Sequence, residues 1–198
     1  MEGVAGVVLA AGSSSRMGRP KQLLRLGDLP LLQHVVDAAV GAGLADVVVV
    51  LGHEASVVAG ALRLPGGVRA VRNTEHAAGL STSLRTGLDA LGPEVRAAVV
   101  ALGDQPELEA ASIRAVVEAY RRTGSRVVQA SYRGVPDHPV LLDRRVWPEV
   151  LAVTGDRGAR DVLAAHPGWL HPVELDRDPP KDVDTWGDYE ELVGRREA

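Results

Sequence analysis

Three short apolar runs, Val4 to Ala11, Val47 to Leu51 and Ala97 to Leu102, alternate with stretches whose apolar residues return every three or four positions. The runs are too short for buried helices and do not alternate polar with apolar. Strands covered on both faces read this way, and they belong to mainly parallel sheets. Between them, Leu31, Val35 and Ala39 with Leu32, Val36 and Val40 predict one helix face, and Ile113, Val116, Val117 and Tyr120 predict another. Val57 to Leu62, and Leu84, Leu88 and Leu91, predict two further helices, with a strand around Val68 to Val71. The pattern therefore specifies an α/β chain: a three-layer α/β/α, Rossmann-like, mainly parallel sheet. With 3% aromatic residues and no Phe, the core is built from Val, Leu and Ala.

Beyond about Val127 the alternation loosens. Arg126 to Tyr132 and Pro139 to Leu142 read as strands, interleaved with Pro-rich stretches and a helix over Arg157 to Ala165. No Gly/Ser-rich or charged linker interrupts the chain, so residues 1–198 are expected to form one domain. Residues 4–125 then form its regularly alternating part and 126–198 a less regular part that caps the open side of the cleft.

Ligands of such sheets bind beyond the carboxyl ends of the strands, which directs attention to the loops after Ala11 and Leu102. The first loop runs Leu9-Ala10-Ala11-Gly12-Ser13-Ser14-Ser15-Arg16-Met17-Gly18-Arg19-Pro20-Lys21. Its small residues let backbone N–H groups converge on an anion, and Gly12 and Gly18 permit close approach. Arg16, Arg19 and Lys21 add three cations to an otherwise acidic chain of net charge −4. That combination suits a triphosphate. The loop is not a P-loop, since Gly12 and Gly18 are one residue too far apart and Gln22 follows Lys21, nor does it hold G-x-G-x-x-G. In the second loop, Gly103-Asp104-Gln105-Pro106, the Asp104 carboxylate at a strand end suits Mg²⁺, which takes one or two carboxylates with phosphate oxygens and water. Asp104 also fits a plainer role, shaping the turn or capping a helix that begins near Glu109.

Other classes are disfavoured. The acidic balance lacks the basic footprint of nucleic-acid binding. Zero cysteines exclude disulfides, thiolate metal sites and cysteine nucleophiles, and the six histidines show no H-E-x-x-H spacing. The first ten residues lack a basic leader region, and no apolar run approaches the roughly 18 residues of a membrane span. A cytoplasmic protein with no membrane or nucleic-acid partner is expected.

L-A-A-G-x-x-x-R-M-G-x-x-K resembles the signature of nucleotidyltransferases that handle sugar phosphates, isoprenoid precursors and the molybdenum cofactor, the MobA-like superfamily with the nucleotide-diphospho-sugar transferase fold. The resemblance implies that Gly12 to Ser15 wrap the phosphates. Arg16 and Lys21 then balance charge on the α-phosphate and the leaving pyrophosphate, making them catalytic together with Asp104. Within the superfamily, Gly103-Asp104-Gln105-Pro106 is similar to the molybdenum cofactor cytidylyltransferase branch. Asn73, Gly79, and Ser81 to Ser83 resemble its elements for base and ribose. His138-Pro139 resembles its His-Pro element, and Gly155-Asp156-Arg157-Gly158-Ala159-Arg160 an element beside the pterin, so that His138, Gly155, Asp156 and Arg160 would touch the acceptor. Asp182-Val183-Asp184-Thr185 resembles its C-terminal element, with Asp184 as second metal ligand. The likeness spans Gly6 to Leu192 with two departures: Asp137 stands where Gly usually precedes the His, and Trp186-Gly187 stand where Pro and an acidic residue are expected.

Each downstream residue also has a structural reading. Asp156 fits an N-cap, Thr185 with Asp188 a capping box that Asp184 merely flanks, and Ser81 or Ser83 a cap after Gly79. His138 reads as a positioning residue rather than a base, Trp147, Trp169 and Trp186 as packing residues, and His34 as structural. The function implied is Mg²⁺-dependent transfer of CMP from CTP to the terminal phosphate of molybdopterin, with a molybdenum enzyme receiving the product. The alternatives are a guanylyl or sugar-phosphate transferase of the same fold, and a non-catalytic nucleotide-binding regulator or chaperone of a molybdenum enzyme.

Overall fold

The computed structural model describes residues 3–14, 17–44, 46–155 and 160–197, with backbone alone at 160, 161 and 197. At its centre, β1 (Val4–Ala10) lies between two parallel neighbours, β4 (Val47–Leu51) and β6 (Ala97–Leu102). Parallel β5 (Val68–Arg72) closes one edge. On the other side, β8 (Val135–Asp143) runs antiparallel to β6, followed by β7 (Val127–Tyr132) and β9 (Leu170–Leu175), giving the order β5-β4-β1-β6-β8-β7-β9. A separate two-stranded hairpin pairs β2 (Arg25–Leu26) with β3 (Leu29–Pro30).

Side chains alternate between the faces of a strand, and here both faces are covered. Val47, Val49 and Leu51 of β4 pack with Val4 and Val8 of β1 beneath α1 (Leu31–Gly41), α2 (Ala55–Ala61) and α4 (Ala110–Thr123). Val48 and Val50 pack with Val7 and Leu9 beneath α3 (Leu80–Asp89), α5 (Trp147–Ala152) and α6 (Arg160–Ala165). All five β4 residues are buried, each worth roughly 1.5–3 kcal/mol relative to exposure. Helix α3 lies so close to the sheet that a Cβ at Gly87 would stand 2.4 Å from Val7 Cγ1. A third, smaller cluster joins Val183 and Leu192, the latter from α7 (Trp186–Glu197), to Met17, Leu24, Leu26 and Leu31 around the first loop. The chain's end is thereby packed onto the beginning of its cleft.

The expected three-layer α/β/α architecture is what the chain adopts, with β8 the antiparallel exception. Strand β8 is longer than the Pro139 to Leu142 read from sequence, because Arg133 and Gly134 (φ 49° and 85°) form a two-residue hairpin turn joining Tyr132 to Val135. The pairing shifts between Gln129 and Ala130, whose partners are Val140 and Asp137. His138 and Pro139, joined by a cis peptide, bulge out between them. Such a bulge is where a strand tolerates proline. Residues 156–159, including the expected cap Asp156, lie outside the described residues. Among the described residues, no helix is long and apolar enough to cross a membrane.

Candidate active site

A cleft of about 480 Å³ opens at the carboxyl ends of β1 and β6. One wall is Leu9 to Ser13 with Lys21 and Gln22, the other is His76, Ala77, Gly79 and Leu80 with Ser83, and Leu102 to Asp104 form the floor. The sheet chemistry places it there: two buried parallel strands end side by side, and Gly103 keeps them close. A Cβ at Gly103 would lie 2.7 Å from the Ala10 Cβ and 3.1 Å from the Leu9 carbonyl oxygen.

The loop is held by Gln22, which in the sequence served only to exclude a P-loop. Gln22 is 4% exposed. Its Nε2 donates to the carbonyls of Ala10 (3.0 Å) and Gly12 (3.1 Å), and its Oε1 accepts from the Ser14 hydroxyl at 3.4 Å. The Ser14 Oγ in turn accepts from the Lys21 N–H at 3.0 Å, and Ser14 holds φ 52°, a left-handed conformation uncommon outside glycine. Gly18 also has positive φ (67°). Gly12 does not, and a Cβ on it would meet nothing within 4 Å. Ser15 and Arg16 lie outside the described residues.

Lys21 is the electrostatic centre. Its Nζ sits 2.7 Å from Asp104 Oδ2 and 2.7 Å from Asp184 Oδ1, with the lysine side chain 12% exposed. Burial alone would lower its pKa, but Asp104, and then Asp184, outweigh this and raise it above the ordinary value. Asp184 arrives because the chain after β9 returns to the floor, where Val183 N–H donates to the Asp104 carbonyl at 3.0 Å. Neighbouring Asp182 is pushed up by desolvation and then by the Asp104 charge, a sign of concentrated negative potential. Asp104 and Asp184 are hard oxygen donors already gathered around one positive charge, the donor set that Mg²⁺ or Mn²⁺ takes. No group of three or more metal-ligating side chains occurs among the described residues. A divalent ion held here would therefore draw its remaining ligands from phosphate and water.

The competing structural readings now separate. Asp104 caps no helix: α4 begins after Glu109, without a side-chain cap. Neither Ser81 nor Ser83 caps α3, whose N-cap is Gly79 (φ 110°). The Thr185–Asp188 capping box does form, with Asp188 Oδ2 accepting from Thr185 N (2.7 Å) and Asp188 N donating to Thr185 Oγ1 (3.2 Å). Asp188 performs that task while Asp184 reaches Lys21.

On the opposite wall, Asn73 is 2% exposed and stands behind the cleft surface. Its Nδ2 donates to Thr82 Oγ1 (2.8 Å) and Ser83 Oγ (3.0 Å), and its Oδ1 accepts from Glu75 N (2.9 Å). It positions Ser83, which lines the cleft; Ser81 is buried and does not. His76, also unforeseen, lines the cleft against Gly52, where a Cβ would stand 2.4 Å from the Ala11 carbonyl oxygen and 2.7 Å from His76 Cβ.

In the bulge of β8, His138 is held through its backbone. Tyr132 OH donates to its carbonyl at 2.8 Å, and its N–H donates to Asp137 Oδ1 at 2.6 Å. Asp137, the departure from the family pattern, also accepts from Gln105 Nε2 at 3.2 Å, which ties the bulge to the Asp104 turn. Burial would raise the Asp137 pKa, but His138 and Gln105 hold it below the ordinary carboxylate value. Gly155 has φ 78°, Asp156 lies outside the described residues, and Arg160 is seen as the first backbone position of α6. Of the three tryptophans, Trp147 packs in the core and Trp169 stacks on His166. Trp186 is instead exposed (38%), with the Arg19 guanidinium over its ring at 4.7 Å. His34 is structural, its Nε2 lying 3.0 Å from the Leu26 carbonyl oxygen.

The chain resembles known proteins over nearly its whole length. The nicotine blue oxidoreductase of Paenarthrobacter nicotinovorans is 32% identical over 192 residues, covering 92% of both chains. The 3-deoxy-manno-octulosonate cytidylyltransferase of Xanthomonas axonopodis pv. citri is 38% identical over 146 residues, 73% of this chain but about half (54%) of that protein. Among solved structures, Rv0371c of Mycobacterium tuberculosis H37Rv superposes with a TM-score of 0.86 at 32% identity, covering 98% of each chain. Its manganese complex superposes at 0.82 and 31%, again covering 98% of each. The sequence profile of the MobA-like NTP transferase domain matches residues 6–170. The chain belongs to the MobA-like NTP transferase domain family, and is by that membership a nucleotidyltransferase.

Proposed function

We propose that this enzyme transfers CMP from CTP to the terminal phosphate of molybdopterin, with or without its molybdenum, and releases pyrophosphate. The observation that carries the reading is Lys21 held between Asp104 and Asp184 at the mouth of the glycine-rich loop. It is the arrangement needed to receive a polyphosphate with its divalent cation. Mg²⁺ is the cation proposed, with Asp104 and Asp184 as its protein ligands; the manganese bound by Rv0371c supports a divalent ion here. The cytidylyltransferase relative and the Gly103 to Pro106 turn support CTP.

Residues 4–125 hold the nucleotide and 126–198 the acceptor. The loop from Leu9 to Ser15, with Gly18, receives the phosphates through backbone N–H groups, and Arg16 and Lys21 supply charge. Gly79 and Ser83 receive base and ribose, with Asn73 and Ser81 behind them, and Gly103 keeps the floor open. On the other side His138, Gly155, Asp156 and Arg160 meet the acceptor. When bound, the metal neutralises the triphosphate and makes the α-phosphorus more electrophilic. A phosphomonoester loses its second proton at a pKa of about 6, so at neutral pH the acceptor oxygen attacks without a general base. One P–O bond forms between acceptor and α-phosphorus, and the α–β P–O bond breaks. Lys21 stabilises the charge that passes to the leaving pyrophosphate, so catalysis rests on positioning and electrostatics.

The experiment is pyrophosphate release from CTP, GTP, ATP and UTP with Mg²⁺, each with and without molybdopterin. Acceptor-dependent release from CTP is expected. Release from GTP would keep the site and move the specificity, and binding without release would favour a regulator. The oxidoreductase name of one relative favours a second reading, redox chemistry on a comparable fold. Transfer of a hydride from added NADH or NADPH to an added quinonoid dye, which is thereby reduced, without pyrophosphate release, would favour that reading instead.

A further inference from the structure

We propose that Gln22 is a positioning residue that gives the glycine-rich loop its polarity and makes it a receptor for polyphosphate. The inference rests on the reading that this loop holds the triphosphate, and goes beyond it by assigning the cause to a side chain outside the loop. A trans peptide sets its N–H opposite its C=O. Gln22 Nε2 captures the carbonyls of Ala10 and Gly12, so the next N–H groups, those of Ala11 and Ser13, point away from Gln22. Both residues line the cleft. Backbone N–H groups directed together at one cleft form an anion-binding concavity.

Without the two Gln22 donors, the Ala10 carbonyl, at the end of β1 in register with β4, loses its tie to the loop, and the Gly12 peptide can turn its oxygen, the negative end of its dipole, toward the phosphates. Every polar atom of the Gln22 side chain is engaged, since its Oε1 takes the Ser14 hydroxyl. That hydroxyl oxygen also takes the Lys21 N–H, so the loop and the turn Lys21–Leu23 form one hydrogen-bonded unit. Gln22 therefore fixes both halves of the phosphate site, the amides directly and the base of the Lys21 side chain through Ser14. At 4% exposure it offers the cleft little surface, and both of its polar side-chain atoms are engaged with the loop.

The test is Gln22→Met, which keeps the length of the side chain and removes both donors. Binding of inorganic tripolyphosphate and of cytidine is measured without metal by NMR titration of wild type and variant. The expected result is tripolyphosphate affinity at least tenfold weaker in the variant, with cytidine affinity within twofold of wild type. A tripolyphosphate loss under tenfold, or equal losses for both probes, would overturn the proposal. Should the variant not fold, ¹⁵N-labelled wild type decides alone. Tripolyphosphate should then move the Ala11 and Ser13 amide protons downfield, and shifts elsewhere with these two unmoved would refute the assignment. If wild type binds neither tripolyphosphate nor cytidine, the reading of the cleft itself falls, an outcome distinct from equal binding by both proteins.

Discussion

Replacing Lys21 by Met withdraws the ammonium that Asp104 and Asp184 share, leaving two carboxylate oxygens no more than twice 2.7 Å apart. At an effective dielectric constant of about 20, that repulsion is about 3 kcal/mol. The Asp184 side chain is 48% exposed, and solvent screening brings the net cost to roughly 1–2 kcal/mol. For a chain of this size each kcal/mol moves the melting temperature by about 2–4 °C, so thermal unfolding followed by circular dichroism should show a fall of about 2–8 °C at low salt. Millimolar Mn²⁺ should restore the loss and stabilise the variant more than wild type, because in wild type the ammonium already stands between the carboxylates. The pKa of Lys21 is raised in the folded state, so its contribution is complete below the ordinary value of 10.5 and disappears only as pH rises through the folded value. Turnover should drop by about 10²–10³-fold, as when an oxyanion donor is lost. An unchanged melting temperature with no Mn²⁺ response would refute the electrostatic argument, and a turnover loss below tenfold would refute the catalytic one.

Asp104→Ala should abolish turnover while nucleotide binding falls much less, and unchanged metal-dependent turnover would sink the metal assignment. Gly52→Ala drives a methyl into the Ala11 carbonyl and His76, and should cost about 1–3 kcal/mol by urea unfolding along with weakened CTP binding; a neutral result would mean the two walls can separate freely. Asp143 is buried, which would raise its pKa, but Arg145 and Tyr120 hold it low. Its contribution, about 1.5–3 kcal/mol for charged hydrogen bonds, is present above the unfolded value of 3.8 and lost as pH falls through the lower folded value. Denaturation of Asp143→Asn against wild type should therefore show a constant gap near neutrality that closes in that acidic window, and parallel curves throughout would contradict this.

What sequence could reveal followed from how local each signal was. The three central strands were legible because both their faces are buried, which leaves Val and Ala and almost nothing else. Strand β9 was not, since His171, Pro172 and Glu174 sit among its apolar residues on a partly exposed edge. Helix α5 has six residues with Pro148 at its start, and β2 and β3 have two each, too few for a period to register. The loop and Asp104 could be found because they directly follow buried strands. Gln22 could not, because its meaning lies in carbonyls ten and twelve residues earlier that only the folded loop brings to it. The sequence shows only a polar residue between Lys21 and the apolar pair Leu23-Leu24, and its burial is known from the fold alone. Asp184 as a cap neighbour and Asp184 as a partner of the site looked like rivals along the chain. In three dimensions they coexist, since Asp188 does the capping and leaves Asp184 for Lys21.

The most direct test follows the two ends of CTP, labelled separately on the α- and γ-phosphates, in the presence of Mg²⁺ and molybdopterin. The account predicts that the α label moves to the pterin product and the γ label leaves as pyrophosphate, with neither event in Asp104→Ala. Release of the γ label as inorganic phosphate, or no separation of the labels with any nucleotide or phosphate acceptor, would contradict it.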